Sequence, residues 1–236
     1  MLQRVLALTI AVLFSFAGGG DAQSAGFDAH PDLSGYWELR FDSFNVPRAI
    51  LTPQAQAAVD ARLKKDLDAV RTCTNIGMPA LMNDHETLDI RQSASVVGMV
   101  AKSPSSTRYV YIDGRTHPDA EDLEGTTNGH SIGRWDGAAL LVDTVGFNER
   151  GITAIPGGGY RTTRSHLVER YQLSSDGQQL TVTFAWTDPV VFRRAHSYAF
   201  RYYKVPTIAE PRVVNCIAND AERVRFLTEA PMPLRF

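Results

Sequence analysis

Apolar and polar residues alternate with a period of two through most of the chain, which is the spacing of half-buried β-strands. In LSGYWELRF, Leu33, Trp37 and Phe41 fall on one face, while Tyr36 and Glu38 fall on the other. The predicted strands are LSGYWELRF, TLDIRQ, SVVGMVAK, TRYVYID, HSIGRW, ALLVDTVGF, HLVERYQLS, LTVTFAWTD and HSYAFRYYK. The pattern predicts a mainly antiparallel all-β domain. A closed barrel is favoured over an open sandwich because closure removes exposed strand edges.

One stretch has helical rather than strand periodicity. In LTPQAQAAVDARLKKDLDAVR, Thr52 is a candidate N-cap and Pro53 occupies the first helical position. Val59, Leu63 and Leu67 then recur at helical spacing. We expect one substantial helix over about residues 53–71, within a single domain that covers residues 26–236.

The N-terminus has the order of a secretory signal: Arg4, an apolar run VLALTIAVLFSFA, and the small-residue stretch GGGDAQSA. The run is shorter than the ~20 residues that span a bilayer as a helix, so no stable membrane insertion is expected. We predict a signal peptide within residues 1–25, cleaved after Ala22 or Ala25. The mature protein is expected in the periplasm or outside the cell.

Composition narrows the range of partners. The net charge is −2 and no basic run occurs, which argues against nucleic acid as a partner. The chain has two cysteines, Cys73 and Cys216, and an even pair in an exported protein predicts a disulfide. Neither lies in a CxxC motif, so a reactive thiol is the weaker interpretation. A small molecule remains the expected partner, and a homo-oligomer is compatible with the sequence.

The stretch GHSIGRWDG carries the first candidate for chemistry. If Asp136 and Gly137 form a two-residue hairpin turn, His130 faces Asp143 across the hairpin, and a carboxylate beside an imidazole is the arrangement of a general base. A three-residue loop with a glycine bulge puts Val142 opposite His130 instead. We expect His130 to point inward, although a structural histidine is the alternative.

Glu169 is the second candidate, because it shares its strand face with Leu167 and Tyr171. A buried carboxylate must be paired or protonated, and burial raises its pKa towards the range of a general acid. The alternative is an ion pair with an inward arginine such as Arg134 or Arg201. Arg134 is also a candidate for binding a substrate anion.

Aromatic residues at alternate positions predict a flat pocket inside the barrel, although most such residues are simply core. The candidate lining residues are Tyr109, Tyr111, Trp186 and Tyr202, with Tyr198 and Phe200 on the same strand faces. The six histidines form neither HxH nor HExxH, and no cofactor motif is found, so neither a metal nor a cofactor is predicted.

Several motifs resemble a broad family of exported bacterial β-rich proteins, most of them without a known function. The resemblance lies in PDLSGYW, GMP, YIDGRTHP, GHSIGRWDG, LLVDTVGFN, VERY and TDPVVF, which cover most of the mature chain in order. The segment SGYWEL also looks like the Gly-x-Trp strand of lipocalins. The resemblance implies a lipocalin-like barrel. Relatives carry His-Ser-Glu where this chain has Arg161, Thr162 and Thr163, so the use of that loop differs here.

These observations lead to two hypotheses about function. In the first, the protein is a cofactor-independent lyase or isomerase that acts on a small, apolar, aromatic molecule, such as a lignin-derived or plant phenolic compound, by elimination, formaldehyde loss or ring opening. His130 is the base, Asp143 orients it, and Glu169 or a tyrosine is the acid. In the second, the protein is a lipocalin-like carrier without catalysis.

Overall fold

A computed structural model describes residues 30–40, 45–71, 76–83, 87–101 and 107–206. The signal peptide predicted within residues 1–25 lies outside these ranges. Cys73 and Cys216, and with them the predicted disulfide, also lie outside them. No helix in the described ranges is long and apolar enough to cross a membrane.

Nine strands form a closed barrel, which confirms the fold predicted from the period-two pattern. Going around the barrel, the strands follow the order β1-β11-β10-β9-β6-β5-β4-β3-β2, and β2 closes onto β1. The strands are β1 Gly35–Leu39, β2 Leu88–Gln92, β3 Val96–Val100, β4 Thr107–Tyr111, β5 His130–Asp136, β6 Ala139–Val145, β9 His166–Leu173, β10 Gln179–Thr187 and β11 His196–Val205.

All neighbouring pairs of barrel strands are antiparallel except β4 and β5, which run parallel. Two parallel neighbours cannot be joined by a tight hairpin, so residues 112–129 form a longer connection from the end of β4 to the start of β5. This connection carries part of the site described below.

The predicted helix is present as α1, Pro53–Arg71, and a one-turn helix α2 follows at Ala80–Asn83. Thr52 is the N-cap of α1, because the Thr52 hydroxyl accepts the N–H of Ala55 at 3.1 Å. The helix packs against a small hairpin formed by β7, Ala154–Ile155, and β8, Gly159–Tyr160.

Large side chains fill the inside of the barrel. Alternate positions of each strand point inward, as a period of two requires. Large inward residues include Trp37, Phe184, Trp186, Phe200 and Tyr202, each at most 1 % exposed. Trp37 of the Gly-x-Trp strand donates its indole N–H to the carbonyl of Leu33 at 3.0 Å, and Lys204 lies over its ring at 5.4 Å.

Candidate active site

Three histidines and one aspartate form a hydrogen-bonded cluster on the outer wall of the barrel. His117 contacts His130 through their Nδ1 atoms at 2.8 Å, and its Nε2 lies 2.9 Å from Oδ1 of Asp143. The other carboxylate oxygen of Asp143 lies 2.8 Å from Nε2 of His166. The result is a chain His130–His117–Asp143–His166, hereafter the histidine cluster.

The strands place three members of the histidine cluster on one face. Residues alternate along a strand, so His130 on β5 and Asp143 on β6 point outward, whereas Ser131 and Thr144 beside them are buried inside. Asp143 pairs with Val168 of β9 across the sheet, two residues from His166. Asp143 therefore lies diagonally between the two strand histidines.

The connection 112–129 brings in His117 and is itself fastened to the barrel. Thr126 donates its N–H to the carbonyl of Gly146 at 3.0 Å, and its own carbonyl accepts the N–H of Asn148 at 2.8 Å. The side-chain amide of Asn128 donates to the carbonyl of Thr107 at 2.8 Å. These bonds fix the far end of the connection against β4 and β6.

An aromatic ring and an arginine border the cluster. The ring of Tyr111 stacks on His130 with centroids 5.6 Å apart, and the guanidinium of Arg115 lies 3.8 Å from the centre of the Tyr111 ring. Arg115 is held in turn by Asp113, whose carboxylate accepts three hydrogen bonds of 2.6–3.0 Å from Nε and Nη2 of its guanidinium. The flank beside His130 is thus an ordered aromatic–cation stack.

The surroundings push the pKa values of the two strand histidines in opposite directions. Burial lowers the pKa of His130, and electrostatic interaction with His117 and Arg115 lowers it further. The hydrogen bond to Asp143 raises the pKa of His166. The same bond, followed by the one from His117, holds the pKa of Asp143 below its ordinary value despite partial burial. A neutral imidazole is therefore favoured at His130 and an imidazolium at His166.

The hydrogen-bond chain is compatible with a tautomer arrangement that leaves a base at His130. The ionised Asp143 accepts, so His117 donates from Nε2. In the tautomer of His117 with its proton on Nε2, Nδ1 is bare and accepts the Nδ1 proton of His130. His130 is left with its lone pair on Nε2, so the arrangement produces a base at that atom.

The prediction that His130 points inward is wrong. The hairpin turn consists of Gly137 and Ala138, so His130 pairs with Val145, and Asp143 pairs with Ile132. This register differs by two residues from the predicted one. A shift of two keeps both residues on the same face, so His130 and Asp143 still meet, through His117 and on the outside.

Glu169 points inward as predicted, but its environment is that of an ion pair. Its carboxylate accepts two N–H bonds from Arg108, one at 2.8 Å, and the Tyr171 hydroxyl donates to it at 2.8 Å. Arg108 also donates to the hydroxyls of Ser131 at 3.1 Å and Thr144 at 2.8 Å. Glu169 and Arg108 are buried and bind each other, which matches the ion-pair alternative rather than the position of an acid that meets a substrate on the outer face. Its partner is neither Arg134 nor Arg201.

Of the five predicted substrate-binding residues, two lie in the packed core and three face outward, and one of the three borders the histidine cluster. Trp186 and Tyr202 are core residues, and the Tyr202 hydroxyl donates to the carbonyl of Met82 at 2.6 Å. Arg134 is exposed on the outer face, four residues along β5 from His130, or about 13 Å. Tyr109 and Tyr111 also face outward, Tyr109 being 56 % exposed. Only Tyr111 contacts the cluster, while Tyr109 lies beside it on the same face.

Sequence reasoning missed His117 and His166 as functional candidates, and Arg108 as the partner of Glu169. The long irregular segment that contains His117 was the available signal, because such loops in compact domains are usually functional or mobile. His166 opens a predicted strand, but nothing in its own segment connects it to Asp143.

The four side chains of the cluster bond to one another rather than surrounding a common point. In the described ranges, no group of three or more His, Cys, Asp or Glu residues is arranged to hold a metal ion. A scan against protein-family models and a search of curated proteins both find no match for this chain.

Proposed function

We propose that the histidine cluster is the active site of a cofactor-independent lyase or isomerase, with His130 as the general base. The observation that carries the proposal is the unbroken chain His130–His117–Asp143–His166, with three links of 2.8–2.9 Å. An imidazole oriented through a carboxylate is a recurring device for moving protons.

The proposed chemistry begins with proton abstraction. Nε2 of His130 takes a proton from a C–H or O–H bond of the substrate, and the resulting positive charge is shared through His117 with Asp143. In an elimination, the electron pair of the broken bond forms the new double bond, and the leaving group departs and accepts the proton that His130 returns. No electron is lost or gained overall, so the reaction needs neither oxidant nor reductant.

The other members of the cluster act through His130. Asp143 positions His117 and stabilises the cation that forms when the base is protonated. His166, with its raised pKa, keeps Asp143 ionised and oriented. Two imidazoles whose pKa values are pushed apart within one cluster are typical of acid–base sites.

The surface around the cluster favours a small, apolar, aromatic substrate. The same outer face carries four apolar or aromatic side chains: Tyr109 and Tyr111 on β4, Ile132 on β5 and Val168 on β9. Val168 is 40 % exposed. A flat ring can stack on such a surface while a polar substituent approaches His130. Phenolic compounds of plant or lignin origin, which an exported protein would meet, are the substrates that we propose.

The carrier hypothesis has less support from the described residues. A lipocalin-like carrier holds its ligand inside the barrel, whereas the inward positions here carry large packed side chains and a saturated Arg108–Glu169 pair. A binding role on the outer face would not need an ordered relay of imidazoles.

The experiment compares wild-type protein with His130→Ala on a panel of phenolic dimers, with products detected by mass. We expect the wild-type protein to convert at least one of these compounds. The turnover rate of His130→Ala should be lower by roughly 10²-fold or more, which is typical of a missing general base. His30→Gln is the matched control, because His30 stacks on Trp135 at 4.7 Å and is not a member of the histidine cluster. Equal turnover by folded His130→Ala and wild type would refute the assignment.

A further inference from the structure

A cavity of about 300 Å³ lies between α1 and the β7–β8 hairpin, and the extended segment before α1 forms its third wall. It shares no lining residue with the histidine cluster. Its volume is at the lower end of the range of small-molecule pockets, ~300–1,000 Å³, and suits a body of about one ring.

The walls of this cavity are fastened to one another. The N–H of Ala49 on the extended segment donates to the carbonyl of Gly157 at the tip of the hairpin, at 2.8 Å. On the helix side, the Asp66 carboxylate accepts the N–H groups of Thr153 and Ala154 at 2.9 and 2.7 Å. The cavity is therefore preformed, which lowers the entropic cost of binding.

The lining combines apolar side chains with a positive rim. The apolar part comprises Val46, Leu51, Val59, Leu63 and Ile155. The only carboxylate in the lining, Asp66, is buried, and both of its oxygens already accept hydrogen bonds. Two arginines also line the space: Arg48 is exposed, and Arg62 lies 4.9 Å from the centre of the Tyr160 ring.

One of the two arginines already has an anionic partner outside the lining. Arg62 donates to Glu149 at 2.6 Å, which leaves part of its guanidinium for other acceptors. Arg48 adds a second cation at the rim. Both oxygens of Asp66 already accept hydrogen bonds, so the groups of the lining that remain free to bind a ligand include the N–H donors of the two arginines, which suit an anionic acceptor.

We propose that this cavity binds a small molecule with an apolar body and one anionic group, such as an aromatic carboxylate. The apolar side chains bury the body, and Arg48 and Arg62 bind the carboxylate at the rim. This site is separate from the proposed active site, so binding here does not depend on catalysis by His130.

The test is an NMR titration of the full-length protein with benzoate and with benzamide, its neutral analogue. We expect benzoate to shift amide signals of the β7–β8 hairpin and to bind about fivefold more tightly than benzamide, because only benzoate gains charge-assisted hydrogen bonds. Equal affinities, or no binding of benzoate, would overturn the proposal.

Variants locate the site. Val59→Trp fills the cavity from the partly exposed surface of α1 and should abolish benzoate binding, whereas Ala57→Trp on the exposed face of the same helix should leave it unchanged. Arg48→Gln should weaken binding about threefold, as expected for an exposed ion pair. Binding that survives Val59→Trp but is lost in His130→Ala would place benzoate at the histidine cluster and overturn the proposal.

Discussion

Replacing Glu169 by glutamine leaves the Arg108 guanidinium inside the barrel without an anionic partner. The two side chains are 0 % and 1 % exposed, so water cannot take the place of the carboxylate. Burial by itself lowers the pKa of Arg108, but the charge of Glu169 and its hydrogen bonds more than offset this effect, and the pKa is raised. The variant loses this offset, but a guanidinium keeps its proton in proteins, so Arg108 stays charged in the folded variant and has no anionic partner.

The cost of this substitution can be worked from the contacts. Glutamine keeps the shape of the side chain, but it has one acceptor oxygen where Arg108 now reaches two, and its amide N–H groups face those of the guanidinium. Removal of one partner from a buried ion pair costs about 3–5 kcal/mol. We expect Glu169→Gln to lower the free energy of unfolding by that amount.

Urea denaturation followed by tryptophan fluorescence measures this difference. At an m-value of ~2 kcal/mol/M, the midpoint should fall by about 2 M. The matched control is Arg170→Gln on the same strand. Arg170 points outward and donates to the exposed Asp136 at 2.9 Å, and exposed pairs contribute about 1 kcal/mol or less.

A double variant separates charge from packing. Arg108→Met combined with Glu169→Leu removes both charges together, and such replacements of buried pairs are often neutral or stabilising. We expect the double variant to be more stable than Glu169→Gln. If Glu169→Gln loses no more stability than Arg170→Gln, the uncompensated charge is not the source of the cost and the reasoning is wrong.

Further predictions concern the histidine cluster. In Asp143→Asn the pKa of His166 should fall towards its ordinary value, measured by NMR titration, and an unchanged pKa would contradict the assigned hydrogen bond. The raised pKa of His166 stabilises the fold at pH values below the unfolded pKa of ~6.5, and this contribution is lost as the pH rises through the folded pKa. The difference in free energy of unfolding between wild type and Asp143→Asn should therefore be larger at pH 6 than at pH 9. Turnover should fall as the pH falls through the lowered pKa of His130, and His117→Gln should move this acidic limb of the pH profile to higher pH. A limb that does not move would refute the influence of His117 on the pKa of His130. Gly129→Ala should lower the free energy of unfolding by at least about 2 kcal/mol, because φ of Gly129 is +69° and a Cβ there would lie 2.7 Å from the Thr144 side chain. Thermal or urea unfolding measures this difference, and wild-type stability of the variant would contradict the geometry.

The alternation of apolar residues was sufficient to predict the barrel and the inward direction of Glu169. It fails on β4, where it predicts the aromatic residues Tyr109 and Tyr111 on the inward face. The structure instead buries Arg108 and Val110. An arginine can be placed on the buried face of a strand only if an anionic partner is identified for it. The partner of Arg108 is Glu169, which is 61 residues away along the chain. Local periodicity contains no information about that pairing.

The candidate site was predictable in part. The pairing of His130 with Asp143 depended on strand parity, which survives a register error of two residues, and both do belong to one cluster. Their outward direction depended on which face of β5 is buried, and Gly133 made that choice ambiguous because it has no side chain to bury. The approach of His117 depended on the path of a long connection, which sequence patterns do not specify.

The parallel pairing of β4 and β5 has a consequence for protein engineering. Connection 112–129 runs on the outside of the barrel and joins two strands whose ends are already fixed by pairing. It supplies His117 to the histidine cluster and places Arg115 beside it. Randomisation of its exposed residues 118–122, with His117, Thr126, Asn128 and Gly129 kept, leaves the nine-stranded wall and the buried Arg108–Glu169 pair untouched. Loop libraries in this segment can therefore change the surface beside the histidine cluster while the barrel retains its packing, because that surface and the packed core lie on opposite sides of the same strands.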